Sequence, residues 1–234
     1  MTGRSLDSPR RRRMTGRSLD LERGSLAART TRVLNRGHRH NADVLLVETG
    51  DRQLVVKDFA PRGALVRATL GRWLTAREAA AYRWLEGHPA VPRFVGFVDS
   101  LAFAVEFRPG RRISRHLLDE AGPGFIDALA SAVDGLHARG LVHLDLGHRS
   151  NVLVDGTGEP VLVDFASALW FQPGSRAARL VLPALLGFDR RAVAKYRDRL
   201  ERQRSRRASA PSAPAATPSG SGSPVSGRSE SRPT

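Results

Sequence analysis

The segment Leu141 to Ala166, LVHLDLGHRSNVLVDGTGEPVLVDFA, constrains the fold more than any other part of the chain. It places Asp145 two residues after His143, Asn151 six residues further on, and Asp164 at the end of the apolar run Val161-Leu162-Val163. A second β-like run, Val152 to Val154, lies between them, and both runs are short enough for strands. Singly, Asp145 and Asn151 read as turn residues flanking a hairpin and Asp164 as a helix cap, roles these residue types favour. In this joint order they point to a shared centre, with three oxygen-bearing side chains set at the ends of apolar elements.

The chemistry such a trio suits is phosphoryl transfer. A phosphoryl group in flight makes little covalent demand but carries much charge, so a protein assists by holding Mg²⁺ against phosphates and orienting the attacking hydroxyl. Mg²⁺ takes oxygen ligands, commonly one or two from side chains with the rest from phosphates and water. Asn151 and Asp164 can supply such oxygens. Asp145, an acceptor when ionised, can take the hydrogen bond of a substrate hydroxyl. His148 and Arg149 follow Asp145, and a cation there could neutralise charge on the transferring group; as plain solvated loop residues they would do nothing.

Of 38 basic residues only Lys57 and Lys195 are lysines, a skew toward arginine that makes a surviving lysine worth explaining. Lys57 lies in the β-like run Gln53 to Phe59, after the turn-prone Thr49-Gly50-Asp51 and an apolar strand from Asp43 to Val47. A compact ammonium beside valines suits contact with phosphates, where the planar fork of arginine does not; the alternative is an edge-strand lysine that snorkels to solvent. Glu78 shares a helix face with Leu74, Ala81 and Leu85, so its carboxylate stands in an apolar stripe where an unpaired charge would be costly. Lys57 would compensate it. The rival is a capping box, Thr75-x-x-Glu78, if the helix begins at Ala76. The helical character of Ala64 to Trp73 favours the ion pair.

The chain has 234 residues, enough for one or two domains with a core, and a formal net charge of +15. That charge attracts anions in general, nucleic acid, anionic lipid and phosphorylated glycans among them, without choosing one. Absence of cysteine excludes disulfides and thiolate metal sites and suits a reducing compartment. No apolar run is long enough to span a bilayer, and the basic N-terminus lacks the apolar region of a secretory signal. The expected location is cytoplasmic, with peripheral attachment at the inner face of the membrane as a further expectation.

Residues 1–24, in which MTGRSLD occurs at 1–7 and again at 14–20, read as a disordered basic extension, with Met14 an alternative initiator. From position 207 to 234, Ser, Pro, Ala and Gly dominate and disorder is expected. Between them, residues 27–107 read as strands at Thr31–Leu34, Asp43–Val47, Gln53–Phe59, Arg93–Val98 and Leu101–Phe107, with one helix from Leu74 to Glu86. Arg108-Pro109-Gly110 interrupts both periodicities and marks a hinge. Residues 111–206 read as mostly helical, opening with short helices and then an apolar stripe from Phe125 to Arg139 stopped by Gly140, with two further helices at about 176–186 and 188–205.

Lys57, Glu78, His143, Asp145, Asn151 and Asp164 stand in the order of the protein-kinase-like superfamily, over about 175 residues. The short second part, and the run Arg77-Glu78-Ala79-Ala80-Ala81-Tyr82-Arg83-Trp84-Leu85 followed by Val91-Pro92, resemble the RIO-type and bacterial lipopolysaccharide (Kdo/heptose) kinases. The resemblance implies an α+β, two-lobed fold with a β-rich N-lobe and a reduced, mostly helical C-lobe, and ATP and Mg²⁺ as cofactors. It implies that Lys57 holds phosphates, Glu78 fixes Lys57, Asp145 is the catalytic base with Arg149 beside it, and Asn151 and Asp164 bind metal. Glu106, at the end of the last N-lobe strand, and Gly37, in the loop between the first two strands, would contact the nucleotide.

Departures from the family pattern are visible. The phosphate loop has one glycine, in Asn35-Arg36-Gly37-His38-Arg39-His40-Asn41, so contact there would fall to Arg36, Arg39 or the histidines. Leu144 replaces the arginine of H-R-D, Asn151 is one residue further from Asp145 than in H-R-D-L-x-x-x-N, Ala166 replaces the glycine after Asp164-Phe165, and no A-P-E follows. The implied acceptor is a hydroxyl on a sugar, a lipopolysaccharide-type glycan or a small molecule, with protein serine second. A nucleotide-binding pseudokinase and a basic nucleic-acid-binding adaptor are the readings without turnover, with lipopolysaccharide, a membrane surface or RNA as the anionic partner expected for the basic tails.

Overall fold

The computed structural model describes residues 19–38 and 41–209 and is a mixed α+β structure. It opens with a helix, α1 (Arg23–Arg29), and five strands: β1 (Thr30–Asn35), β2 (Asp43–Thr49), β3 (Arg52–Asp58), β4 (Phe94–Asp99) and β5 (Ala102–Glu106). They form one antiparallel sheet in the order β1-β2-β3-β5-β4. Between β3 and β4 a helical turn, α2 (Ala64–Val66), runs through a π-helical turn (Arg67–Gly71) into α3 (Arg72–Trp84).

Side chains alternate across a strand, so each strand serves two faces. Leu54, Val56 and the facing Ala102 and Ala104 are buried on the outer face, where Leu21 and Leu26 cover them. Val55, Lys57, Phe103 and Val105 point the other way, toward α3 and the rest of the molecule. Lys57 therefore faces inward because it is out of phase with Leu54 and Val56.

The covering of the outer face corrects the expected boundary of the disordered extension, drawn at residue 24. Leu21 is buried, and Arg23 donates to Asp58 at 2.6 Å and to Asp99 at 2.7 and 2.9 Å, tying α1 to two strand ends. A lone leucine pair in polar surroundings carries no periodic signal, which is why the sequence gives no warning of it. The first copy of the repeat, the poly-arginine run and the second copy up to residue 18 lie outside the described residues.

After β5, Phe107-Arg108-Pro109 leads into β6 (Gly110–Arg112), so Gly110, expected in the hinge, already pairs with Asp155. α4 (Arg115–Ala138) is two helical pieces joined across a kink at Gly122, whose φ of 72° only glycine adopts readily, so a short helix precedes the stripe expected from Phe125 to Arg139. Then come β7 (Leu141–Val142), β8 (Val152–Asp155), β9 (Pro160–Leu162), a 3₁₀ turn at Phe165–Ser167, β10 (Leu169–Trp170) and α5 (Arg176–Ala208). β6, β8 and β9 make one small sheet and β7 pairs with β10.

α5 is a single helix where two were expected, and it takes in Arg207 and Ala208 of the expected tail. Its interior Pro183 costs about 3 kcal/mol and Gly187 about 1 kcal/mol. Burial of Ala192, Val193, Tyr196 and Leu200 along one stripe against α4 offsets that cost. Positions 210–234 lie outside the described residues.

Candidate functional site

Lys57 leaves β3 on the inner face and reaches α3, where its Nζ donates to Glu78 Oε1 at 2.7 Å and Oε2 at 2.9 Å. The same Nζ donates to Asp164 Oδ1 at 2.8 Å, across 107 residues of chain. Glu78 is 1% exposed and its Oε1 also accepts from the backbone N–H of Phe165 at 3.1 Å. Because α2, the π turn and α3 are continuous, Glu78 lies well inside the helix and not at a capping position. Burial disfavours the Lys57 ammonium, but the carboxylates of Glu78 and Asp164 outweigh it and hold its pKa above the usual lysine value. Burial likewise opposes the Asp164 carboxylate, and Lys57 overcomes that and draws its pKa down.

Asp164 sits at φ 67°, in the left-handed region, and does not cap the 3₁₀ turn that follows. The twist sends its side chain toward Lys57 while Phe165 goes into the core, at 0% exposure between Tyr82 and His143. The Tyr82 hydroxyl accepts the Asp164 N–H at 3.3 Å. Arg77 supports the same segment from α3, donating to the carbonyls of Ala166 and Ala168 and stacking over Trp73.

Asp145 and Asn151 meet. The Asn151 amide donates to Asp145 Oδ2 at 2.8 Å and to the Asp145 carbonyl at 3.0 Å. Two turn bonds, His148 N–H to the Asp145 carbonyl and Asn151 N–H to the His148 carbonyl, absorb the extra residue between them. The turn-residue reading of Asn151 is thus also true, for the same amide closes the loop and binds the carboxylate. Asp145 is exposed, and its Oδ1 has no protein hydrogen bond among the described residues.

One cavity of about 350 Å³ joins these elements, lined by Lys57 and Val55 of β3, Glu106 near the connection, and Asn151 and Asp164 opposite. Arg32 and Arg112 also reach it and form no ion pair among the described residues. The Asp164 side chain is 44% exposed and the Ala166 backbone N–H also steadies its carboxylate, while among the described residues the Asn151 oxygen accepts from the Ser150 hydroxyl at 3.0 Å. Two oxygens on one wall match what Mg²⁺ takes from protein when phosphates complete its shell. Among the described residues no group of three or more His, Asp or Glu could hold a metal by itself.

Two expected contacts are placed elsewhere. Gly37 does not line this cavity: its N–H donates to Asp43 Oδ1 at 2.9 Å and its carbonyl accepts from Arg62 at 2.7 Å. The buried Asp43 engages the loop amide from which a nucleotide contact was expected. Arg36 is 3.8 Å from the same carboxylate, and Arg39 and His40 lie outside the described residues. Arg149 lines a separate groove behind the Asp145 loop. Glu106 reaches the cavity rim, but its carboxylate accepts from the Arg93 N–H at 3.4 Å.

Sequence reasoning missed Asp189, which organises the loop. Fully buried on α5, it accepts from the N–H groups of His143 at 2.8 Å and Leu144 at 2.9 Å, and pairs with His137 Nε2 at 3.0 Å. It thereby holds Leu144 at φ 66° directly before Asp145. A signal existed: Asp189 shares the buried stripe of Ala192, Val193, Tyr196 and Leu200, an acid among apolar residues just as Glu78 is. Tyr196 secures the next residue, its hydroxyl donating to the Leu146 carbonyl at 2.9 Å. No family model and no curated protein matches the chain.

Proposed function

We propose that the chain is an ATP-dependent phosphotransferase of two-lobed, protein-kinase-like architecture that moves the γ-phosphoryl group of Mg-ATP to a hydroxyl acceptor. The observation carrying this reading is the Lys57 ammonium held between Glu78 and Asp164 on the wall of a cavity that Asn151 also lines. A buried cation fixed by two carboxylates from separate elements is costly to assemble for stability alone, since apolar residues could fill the space as well.

In this reading Lys57 contacts phosphate oxygens, and Arg32 and Arg112 supply the charge that a glycine-rich loop would otherwise complement with backbone amides. Asp164 and Asn151 would hold a Mg²⁺, which would supply the positive charge that offsets the negative charge of the transferring phosphoryl group. Asp145, steadied by the Asn151 amide, accepts the hydrogen bond of the acceptor hydroxyl. As the acceptor oxygen bonds to the γ-phosphorus, the bond to the β-phosphate oxygen breaks, the hydroxyl proton passes to Asp145, and ADP leaves. The acceptor class is a sugar, glycan or small molecule. No helix among the described residues is long and apolar enough to cross a membrane.

A second reading, nucleotide binding without turnover, is favoured by one observation: the Gly37 amide is engaged by Asp43 and not offered to a phosphate. Thermal melting with Mg-ATP and an assay of ADP formation separate the cases. At a hundredfold excess over Kd, ligand stabilises by about 2.7 kcal/mol, or roughly 5–10 °C for a chain of this size. That shift should need Mg²⁺ and be lost in Asp164→Ala. ADP formation lost in Asp145→Ala supports transfer; a shift without ADP formation supports the second reading; no shift refutes both.

A further inference from the structure

A cavity of about 430 Å³ lies on the other side of the Asp145 loop, with Ile113 and the ring of Tyr196 as its floor and Arg149, Arg199, Arg202 and Arg206 around it. Arg199, Arg202 and Arg206 recur every three or four residues, so α5 turns one face of guanidinium groups into the groove. None of the four makes an ion pair or side-chain hydrogen bond among the described residues, although Asp198 and Glu201 stand on the same helix. Among the described residues no acidic side chain lines the groove. Four guanidinium groups brought together without a counter-charge from those residues repel one another, and a ligand of opposite charge relieves that repulsion.

The groove is next to the proposed transfer site. Arg112 and Ser150 line the Lys57 cavity, while their chain neighbours Ile113 and Arg149 line this one. The groove floor and the Asp145 loop are joined directly, through the bond from Tyr196 to the Leu146 carbonyl.

From this we infer that the arginine groove is the acceptor subsite, and that the acceptor carries a phosphate group besides the hydroxyl that is modified. The inference rests on the phosphotransferase reading. Guanidinium groups match phosphate oxygens bidentately, and several together favour a dianion over a single carboxylate. The volume suits a phosphorylated sugar or polyol, free or as a lipid headgroup, and is small for a nucleic-acid duplex.

The test uses the full chain, with binding of inorganic phosphate and of glycerol 3-phosphate measured at constant ionic strength. It is repeated in the double variant Arg199→Gln/Arg202→Gln and in Lys57→Met. Vesicles of phosphatidylglycerol and of phosphatidylcholine form a further arm. The expected result is at least roughly tenfold weaker phosphate binding in the double variant, the scale of a lost charge-assisted contact, with little change in Lys57→Met. The Mg-ATP shift should behave the opposite way. Binding of soluble phosphate assigns a free acceptor; binding confined to phosphatidylglycerol vesicles and lost in the double variant assigns a headgroup. Equal phosphate binding by wild type and double variant overturns the inference, as does displacement by chloride as effective as by phosphate. Groove-dependent phosphate binding without any Mg-ATP shift would keep the anion site and remove the phosphotransferase reading, so the two failures are distinguishable.

Discussion

Asp189→Ala should be among the most damaging single substitutions outside the Lys57 cavity. The carboxylate is 0% exposed and accepts from two backbone N–H groups, at 2.8 and 2.9 Å, and from His137. Removing it leaves the amides of His143 and Leu144 buried without acceptors, at about 1–3 kcal/mol each. It also withdraws what holds Leu144 at φ 66°, a conformation that costs a non-glycine residue roughly 1–2 kcal/mol. Relaxation of that residue recovers part of the loss, so the net destabilisation should be about 3–5 kcal/mol, near 10 °C in Tm for this size. Urea unfolding followed by circular dichroism measures it, with an unchanged slope confirming that the compactness of the two states is the same. Asp189→Asn, which keeps one acceptor oxygen and offers a donor to the other N–H, should fall between wild type and alanine. If Asp189→Ala unfolds within about 1 kcal/mol of wild type, the carboxylate does not organise the loop and the reasoning fails.

Lys57→Met should destabilise by roughly 3 kcal/mol because Glu78 is left buried and unpaired, whereas adding Glu78→Leu should restore most of that stability; recovered stability with Mg-ATP binding still absent would separate the structural role of the pair from its ligand role. The His143 imidazole is buried and its pKa is pushed below the usual 6.5 by that burial, although Asp189, Asp164 and Asp145 act in the opposite direction. Since the unfolded chain then binds the proton more tightly, stability is full above the unfolded value and falls as pH drops below about 6.5. The urea midpoint should decline between pH 7.5 and 5.5, and His143→Gln should flatten that decline; parallel profiles in the two proteins would count against the assignment.

Local pattern carries much of the fold. The five N-terminal strands, the helix holding Glu78 and the two runs between Asn151 and Asp164 all follow from short-range alternation or helical spacing, and each is observed within a few residues. Lys57 and Glu78 were legible because each broke its surroundings: a lysine in an arginine-rich chain, a carboxylate on an apolar stripe. Asp189 broke its stripe in the same way, but the arginines around it concealed the pattern. Gly37 misled because a glycine reports backbone freedom and not which partner uses the amide. The merging of α5 into one helix depended on its packing against α4, which outweighs Pro183.

What the sequence determined by itself is which side chains stand in register on each strand and helix, since periodicity is a property of a few neighbouring residues. What only the tertiary structure decided is which of them meet: Lys57 with Asp164 across 107 residues, Asp189 with the loop before Asp145, and Arg149 with the face of α5 and not with Lys57. The reason is physical. Such contacts form only after the long-range loops have closed, and the free energy that closes them comes from burial summed over the whole core and not from the few residues that touch.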